Sequence, residues 1–280
     1  MFKKLKALFG RFRKGKETIE RIDAQQNVYV FTREDKAKAG FAAPTYTQSR
    51  HVELDRQLLA DNRCVSIFPG AQENEQYKVL RTQILHYARE KGGNTIMITS
   101  AQPGEGKTLT AINLAFTFAK QFEQTVLLVD CDLRKQDIRK VLGFNNDKGL
   151  LDYLIDNEPL SDLMVWPGID KLTLISGGRI VEESTELLGS SRMKDLVREM
   201  KTRYSDRFVF FDVPPVLAGA DALAFAPLVD FIIIVVHAGT TTTNDVQKTL
   251  DLIPNEKVLG FVLNRHTIPS KSYSAKMQQH

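Results

Sequence analysis

The sequence predicts an α/β fold: a doubly wound, mostly parallel sheet with helices on both faces. Three observations predict it. From Glu73 onward, short apolar runs rich in β-formers alternate with helical segments, as strands buried on both faces do. One run ends in a glycine-rich turn that opens a helix. Two others end in aspartates, which puts polar chemistry at the carboxyl ends of strands, where open parallel sheets bind ligands.

The elements follow in order. Residues 73–90 read as a helix that Gly92-Gly93 stops. Strands are predicted over 95–99, 125–130, 171–175, 207–212, 230–237 and 257–264, and further helices over 107–121, 190–204 and 243–253. Upstream, 28–32 reads as a short strand. The polar stretch 32–50, with Gly40 and Pro44, reads as a linker. Residues 51–62 read as a short helix with Val52, Leu54, Leu58 and Leu59 on a partial apolar face. The expected organisation is an extension and linker over 1–72, the main domain over 73–268 and a flexible tail over 269–280.

Composition excludes several classes. The most apolar stretch, 222–236, is interrupted by Pro227 and Asp230, and its apolar run 231–236 falls far short of the roughly 20 residues of a membrane span. No apolar signal segment opens the chain. Cys64 and Cys131 stand far apart in the sequence, so neither a metal knuckle nor a disulfide framework is implied, and a cytoplasmic protein is expected. The net charge of +4 is smaller than the contribution of Lys3, Lys4, Lys6, Arg11, Arg13, Lys14 and Lys16, all ahead of the first acid, Glu17. The body is therefore slightly acidic, and no nucleic-acid partner is expected. Within 1–16, Phe2, Leu5, Leu8, Phe9 and Phe12 recur at helical spacing among these cations. That stripe suits an anionic membrane surface; a solvated end is the alternative.

The run Ala101-Gln102-Pro103-Gly104-Glu105-Gly106-Lys107-Thr108 follows one strand and opens a helix. It fits a phosphate-binding Walker A loop with Ala101 in the first glycine position. Gly104 and Gly106 let backbone N–H groups converge on phosphate oxygens, and the helix directs its positive end at them. In such a loop Lys107 reaches the β- and γ-phosphates and Thr108 ligates Mg²⁺. Asp130 and Asp132, with Arg134, lie just past the next strand, and Asp212, with Pro214-Pro215, past another. Three acids around one hard cation is sensible chemistry, whereas each alone serves equally as a helix cap.

With these boxes in order, the sequence resembles the bacterial tyrosine kinases (BY-kinases) of capsular and exopolysaccharide assembly, relatives of the MinD/ParA ATPases. The resemblance extends to Glu75-x-x-Lys78-x-x-Arg81-Thr82, Glu186-Leu187-Leu188 and Leu259-Gly260-Phe261-Val262-Leu263-Asn264. It implies the following roles. Pro103, Gly104, Glu105, Gly106, Lys107, Thr108 and Leu109 hold ATP, with Asn264 near the adenine. Thr108, Asp130 and Asp212 hold Mg²⁺. Lys107, Asp130, Asp132 and Asp212 serve catalysis, the A′ acids Asp130 and Asp132 helping to activate a tyrosine hydroxyl. Glu75, Lys78 and Arg81 contact a neighbouring subunit of a homo-oligomer; a solvated face with an intrahelical Glu–Lys pair is the alternative.

The resemblance also implies a membrane chain-length regulator as activating partner, here in the stand-alone arrangement, and a peripheral place at the inner face of the membrane. Lys107 is the only lysine of the loop, which favours the kinase branch over a MinD/ParA-like switch, and the intact Asp130, Asp132, Asp212 and Lys107 argue against a mere nucleotide-binding scaffold. Lys78 and Gln136 depart from the usual arginine and proline, and the family's tail cluster of tyrosines shrinks here to Tyr273. Tyr273 is the first acceptor candidate and Tyr46 the second.

Overall fold

The computed structural model describes residues 49–71 and 73–266. The amphipathic segment 1–16, the strand expected over 28–32, Tyr46 and Tyr273 lie outside the described residues.

Eight strands form one sheet: β1 (Arg50–His51), β2 (Thr95–Ser100), β3 (Thr125–Asp130), β4 (Val165–Trp166), β5 (Leu172–Ile175), β6 (Arg207–Asp212), β7 (Phe231–His237) and β8 (Val258–Asn264). Their spatial order is β1-β4-β5-β3-β6-β2-β7-β8. Every pairing is parallel except that of β4 with β5. Ten α-helices accompany them among the described residues: α1 (Arg56–Asp61), α2 (Asn74–Lys91), α3 (Lys107–Ala119), α4 (Asp137–Leu142), α5 (Leu150–Asp156), α6 (Leu160–Leu163), α7 (Ser184–Leu188), α8 (Ser191–Thr202), α9 (Asp221–Phe225) and α10 (Thr243–Leu252).

Successive strand residues enter opposite cores, as the period of two requires. Ile96, Ile98, Val126, Leu128, Phe208, Phe210, Ile233 and Val235 pack on one face with Ile84 and Leu85 of α2 and with α3. Met97, Leu127, Val129, Val209, Phe211, Ile232 and Ile234 pack on the other with Met193, Leu196 and Val197 of α8 and Phe225 of α9. Strands covered on both sides have no polar face, so their sequences read as continuous apolar runs.

Residues ahead of 73 also join the sheet and the first core. Arg50 and His51 pair in parallel with Val165 and Trp166, and Leu59 and Cys64 are fully buried in the first core. The helix expected over 51–62 is shorter, because Asp55 caps α1 by accepting from Gln57 N–H at 2.8 Å and Leu58 N–H at 3.4 Å.

Candidate active site

The phosphate loop joins the interior strand β2 to α3, a helix buried along nearly all its length. Gly104 and Gly106 have φ of +83° and +97°, conformations that L-residues with a Cβ rarely adopt. Gly106 has a second constraint: a Cβ there would collide with the amide nitrogen of Asn264. That Asn264 Nδ2 donates to the Glu105 carbonyl at 2.8 Å, so the tip of β8 rests on the loop. The Glu105 carboxylate, 3% exposed, is turned into the protein. It accepts from Gln102 N–H at 3.0 Å and from the Thr241 hydroxyl, and Thr241 in turn accepts from His237 N–H at 2.8 Å. The tips of β7 and β8 thus pin the loop through one residue. Thr241 carried no motif signal in the sequence.

Beneath the loop the three expected aspartates converge. Asp130 and Asp212 are direct register partners on β3 and β6. Lys107 Nζ lies 3.0 Å from Asp132 Oδ2 and 3.2 Å from Asp212 Oδ1. The Thr108 hydroxyl donates to Asp212 Oδ2 at 2.6 Å. Asp130 is engaged differently: one oxygen accepts from Asp132 N–H at 3.0 Å and the other from Ile138 N–H at 3.2 Å. Asp132 accepts from Lys135 N–H at 3.2 Å. All three acids are almost wholly buried.

Burial dominates their electrostatics. It pushes the Asp130 carboxyl well above the usual carboxylate range, with Asp212 adding to the effect and Lys107 opposing it. Burial raises Asp212 too, against the pull of Lys107 and the Thr108 hydrogen bond. For Lys107, burial favours the neutral amine, but Asp212, Asp132 and Asp130 outweigh it and hold the ammonium above its ordinary value. Three buried carboxylates around one ammonium leave excess negative charge, which shifts Asp130 toward its protonated form. Among the described residues no three His, Cys, Asp or Glu side chains form a ready metal cage.

The other expected site residues separate. Glu75 and Lys78 form an exposed pair on α2, Nζ to Oε1 2.6 Å. Arg81 turns inward and donates from Nη1 to the Thr117 carbonyl at 2.8 Å, at the carboxyl end of α3. Leu109 is partly buried against the first core. Gln136 takes a left-handed φ of +50° and donates from Nε2 to the Arg179 carbonyl at 2.6 Å.

Known proteins match this chain over the same region. Residues 93–258 match a family model described as an AAA domain. Tyrosine-protein kinase YwqD of Bacillus subtilis is 34% identical over 198 residues, which cover 70% of this chain and 82% of that protein. The chain belongs to the bacterial tyrosine kinases. The solved kinase domain of the Escherichia coli tyrosine kinase ETK superposes on this kinase with a TM-score of 0.68 at 26% identity, covering 86% of this chain and 96% of that one. MinD of Pyrococcus horikoshii shares the fold at 24% identity and a TM-score of 0.50, covering 62% of this chain and 70% of that one. Among the described residues of the kinase, no helix is long and apolar enough to cross a membrane.

Proposed function

We propose that this kinase transfers the γ-phosphoryl group of ATP to tyrosine, its own included, and thereby regulates polymerisation and export of an exopolysaccharide or capsule. The observation that carries the reading is the Lys107 ammonium set between Asp132 and Asp212 at the root of a phosphate loop. The loop N–H groups and the positive end of α3 hold phosphate oxygens, and Lys107 offsets their charge. Asn264 steadies the loop and would lie near the adenine.

Hydroxyl and carboxylate oxygens fit Mg²⁺, which takes one or two protein ligands and completes its shell with phosphates and water. Thr108 and Asp212 would hold the ion, with Asp130 behind them. Bound there, it supplies charge neutralisation at the phosphoryl group. Asp132 accepts the proton of the incoming tyrosine hydroxyl. Asp130 is unsuited to that task, since both its oxygens serve backbone N–H groups. Catalysis on this scheme is mainly positioning and charge compensation.

Tyr273 is the proposed acceptor, with Tyr46 second, reached in trans within a homo-oligomer. Glu75 and Lys78 are exposed on α2 and suit a subunit contact. A membrane chain-length regulator is the proposed activator, with residues 1–16 against the inner membrane surface. The experiment is an anti-phosphotyrosine assay with ATP and Mg²⁺, beside Asp132→Asn and beside chelation of the metal. Labelling lost in both is expected. Labelling undiminished in Asp132→Asn contradicts the assignment of the base.

A further inference from the structure

A buried carboxylate outside the phosphate chemistry, Asp221, has partners that tie it to the catalytic loops. It opens α9 and is 2% exposed. It accepts from the Ser184 hydroxyl at 2.6 Å and from the Thr185 hydroxyl, and Arg134 Nη2 stands 3.5 Å away. Arg134 Nε donates to Ser184 Oγ at 2.8 Å. The order of donation therefore runs from Arg134 to Ser184 to Asp221.

Three chain segments meet at this carboxylate. Arg134 belongs to the loop that follows β3 and carries Asp132. Ser184 and Thr185 open α7. Asp221 opens the helix that follows β6 and the Asp212 loop. The β6 side is fixed independently: Val213 N–H donates to the Ile98 carbonyl at 3.0 Å and Leu217 N–H to the Ala101 carbonyl at 3.1 Å, both on the phosphate-loop strand or just past it. The Asp132 loop has a comparable side-chain tether to that frame in Arg134. We infer that Asp221 is a positioning residue for phosphoryl transfer: through Ser184 and Arg134 it holds the Asp132 loop against the loop that follows Asp212. It thereby sets where the two carboxylates stand about Lys107.

The chemistry of the pair suits that role. A guanidinium presents its donors in a rigid plane, so two hydrogen-bonded directions fix the orientation of the loop that bears it, which an ammonium cannot do. Arg134 is half exposed and contributes little to either core, whereas the carboxylate it reaches is buried. The inference rests on the roles given above to Lys107, Asp132 and Asp212.

The test is steady-state kinetics on the full chain as Arg134→Gln, Arg134→Lys, Asp221→Asn and the double variant Arg134→Gln/Asp221→Asn. ATP turnover and phosphotyrosine are read side by side, and ATP affinity is measured separately with a fluorescent nucleotide. Misplacing Asp132 is expected to lower kcat about 10- to 100-fold in each glutamine or asparagine variant, with ATP affinity altered less than about threefold. The double variant is expected to be no worse than the worse single one, and Arg134→Lys to fall between wild type and Arg134→Gln. An unchanged kcat in Arg134→Gln, or losses that multiply in the double variant, would overturn the inference. If Asp221→Asn fails to fold, the two half-exposed Arg134 variants decide it by the same kcat criterion. A wild-type chain that turns over ATP without labelling tyrosine counts against the kinase assignment alone; the ATP turnover of the variants still decides the role of Asp221.

Discussion

Lys107 Nζ stands 3.2 Å from Asp212 Oδ1, and the hydroxyl of the adjacent Thr108 donates to the other oxygen of the same carboxylate at 2.6 Å. The two residues that open α3 thus satisfy both oxygens of the acid at the end of β6. Removing the ammonium leaves Asp212 and Asp132 buried without a counter-charge. Lys107→Met is therefore expected to cost about 3 kcal/mol of stability at pH 8. The folded-state pKa of Asp212 is already raised and rises further in the variant. Stability tied to a raised carboxyl is present at low pH and lost as pH rises, so the penalty should shrink toward pH 5. Thermal denaturation of both proteins at the two pH values checks this. An equal difference at both would contradict it.

Gly106 and Gly104 have similar φ angles but different surroundings. A Cβ at Gly106 meets Asn264, whereas one at Gly104 meets nothing within 4 Å. Gly104→Ala should cost about 1 kcal/mol from backbone strain alone, and Gly106→Ala should cost more. Adding Asn264→Ala to Gly106→Ala removes the collision and leaves the strain, so recovery is expected to be partial. Urea midpoints across the three variants are the measurement; equal losses at the two glycines would refute the contact.

Arg81 and its two neighbours in the sequence motif should separate in stability. Arg81→Ala removes a hydrogen bond to the end of α3 and is expected to cost about 1 kcal/mol, roughly 2–4 °C in Tm for a domain of this size. Glu75→Ala and Lys78→Ala break an exposed pair worth about 0–1 kcal/mol and should leave Tm nearly unchanged. If the exposed pair forms a subunit contact, these two variants alter the elution volume on size-exclusion chromatography without altering Tm. Elution volumes like that of wild type would remove the pair from the interface.

Alkaline pH should destabilise the protein through two groups, the buried Cys64 and the partly buried Tyr77. Burial pushes the Cys64 thiol up from 9.0 to about 12 and the Tyr77 hydroxyl up from 10.0 to about 12. The unfolded chain then releases these protons first, so their contribution to stability is complete below pH 9 and is lost as pH rises from 9 toward 12. Cys64→Ala and Tyr77→Phe should each flatten the fall of Tm over that range. Cys131 is also buried and raised, so a thiol reagent at pH 8 should label neither cysteine in the folded protein and both after denaturation.

The central strands were legible because their periodicity and their position between turns agree. The strands expected over 125–130 and 207–212 have those bounds in the structure, and the one expected over 95–99 runs one residue further. The strands β1 and β4 were not legible: two residues each, they have no period of their own, and β1 exists through pairing with β4 and β4 through pairing with β1 and β5. The helices α4, α5, α6, α7 and α9 are one or two turns long, too short for an apolar stripe to show.

At the site, the positions of Lys107, Thr108, Asp130, Asp132 and Asp212 followed from loop chemistry and strand ends. Their inequality did not. That Asp130 serves backbone N–H groups while Asp132 and Asp212 face Lys107 depends on the path of the loop after β3. Asp221 stood in a stretch of alanines with nothing to mark it, and Thr241 in a run of threonines. Their roles come from partners far away in sequence.

The most direct test of the account is phosphopeptide mass spectrometry on this kinase isolated from its own cells, beside Lys107→Met. Phosphotyrosine at Tyr273 or Tyr46 that vanishes in the variant is the result expected. Phosphotyrosine that persists in Lys107→Met, or none in either protein while ATP turnover is intact, would contradict self-phosphorylation at this site.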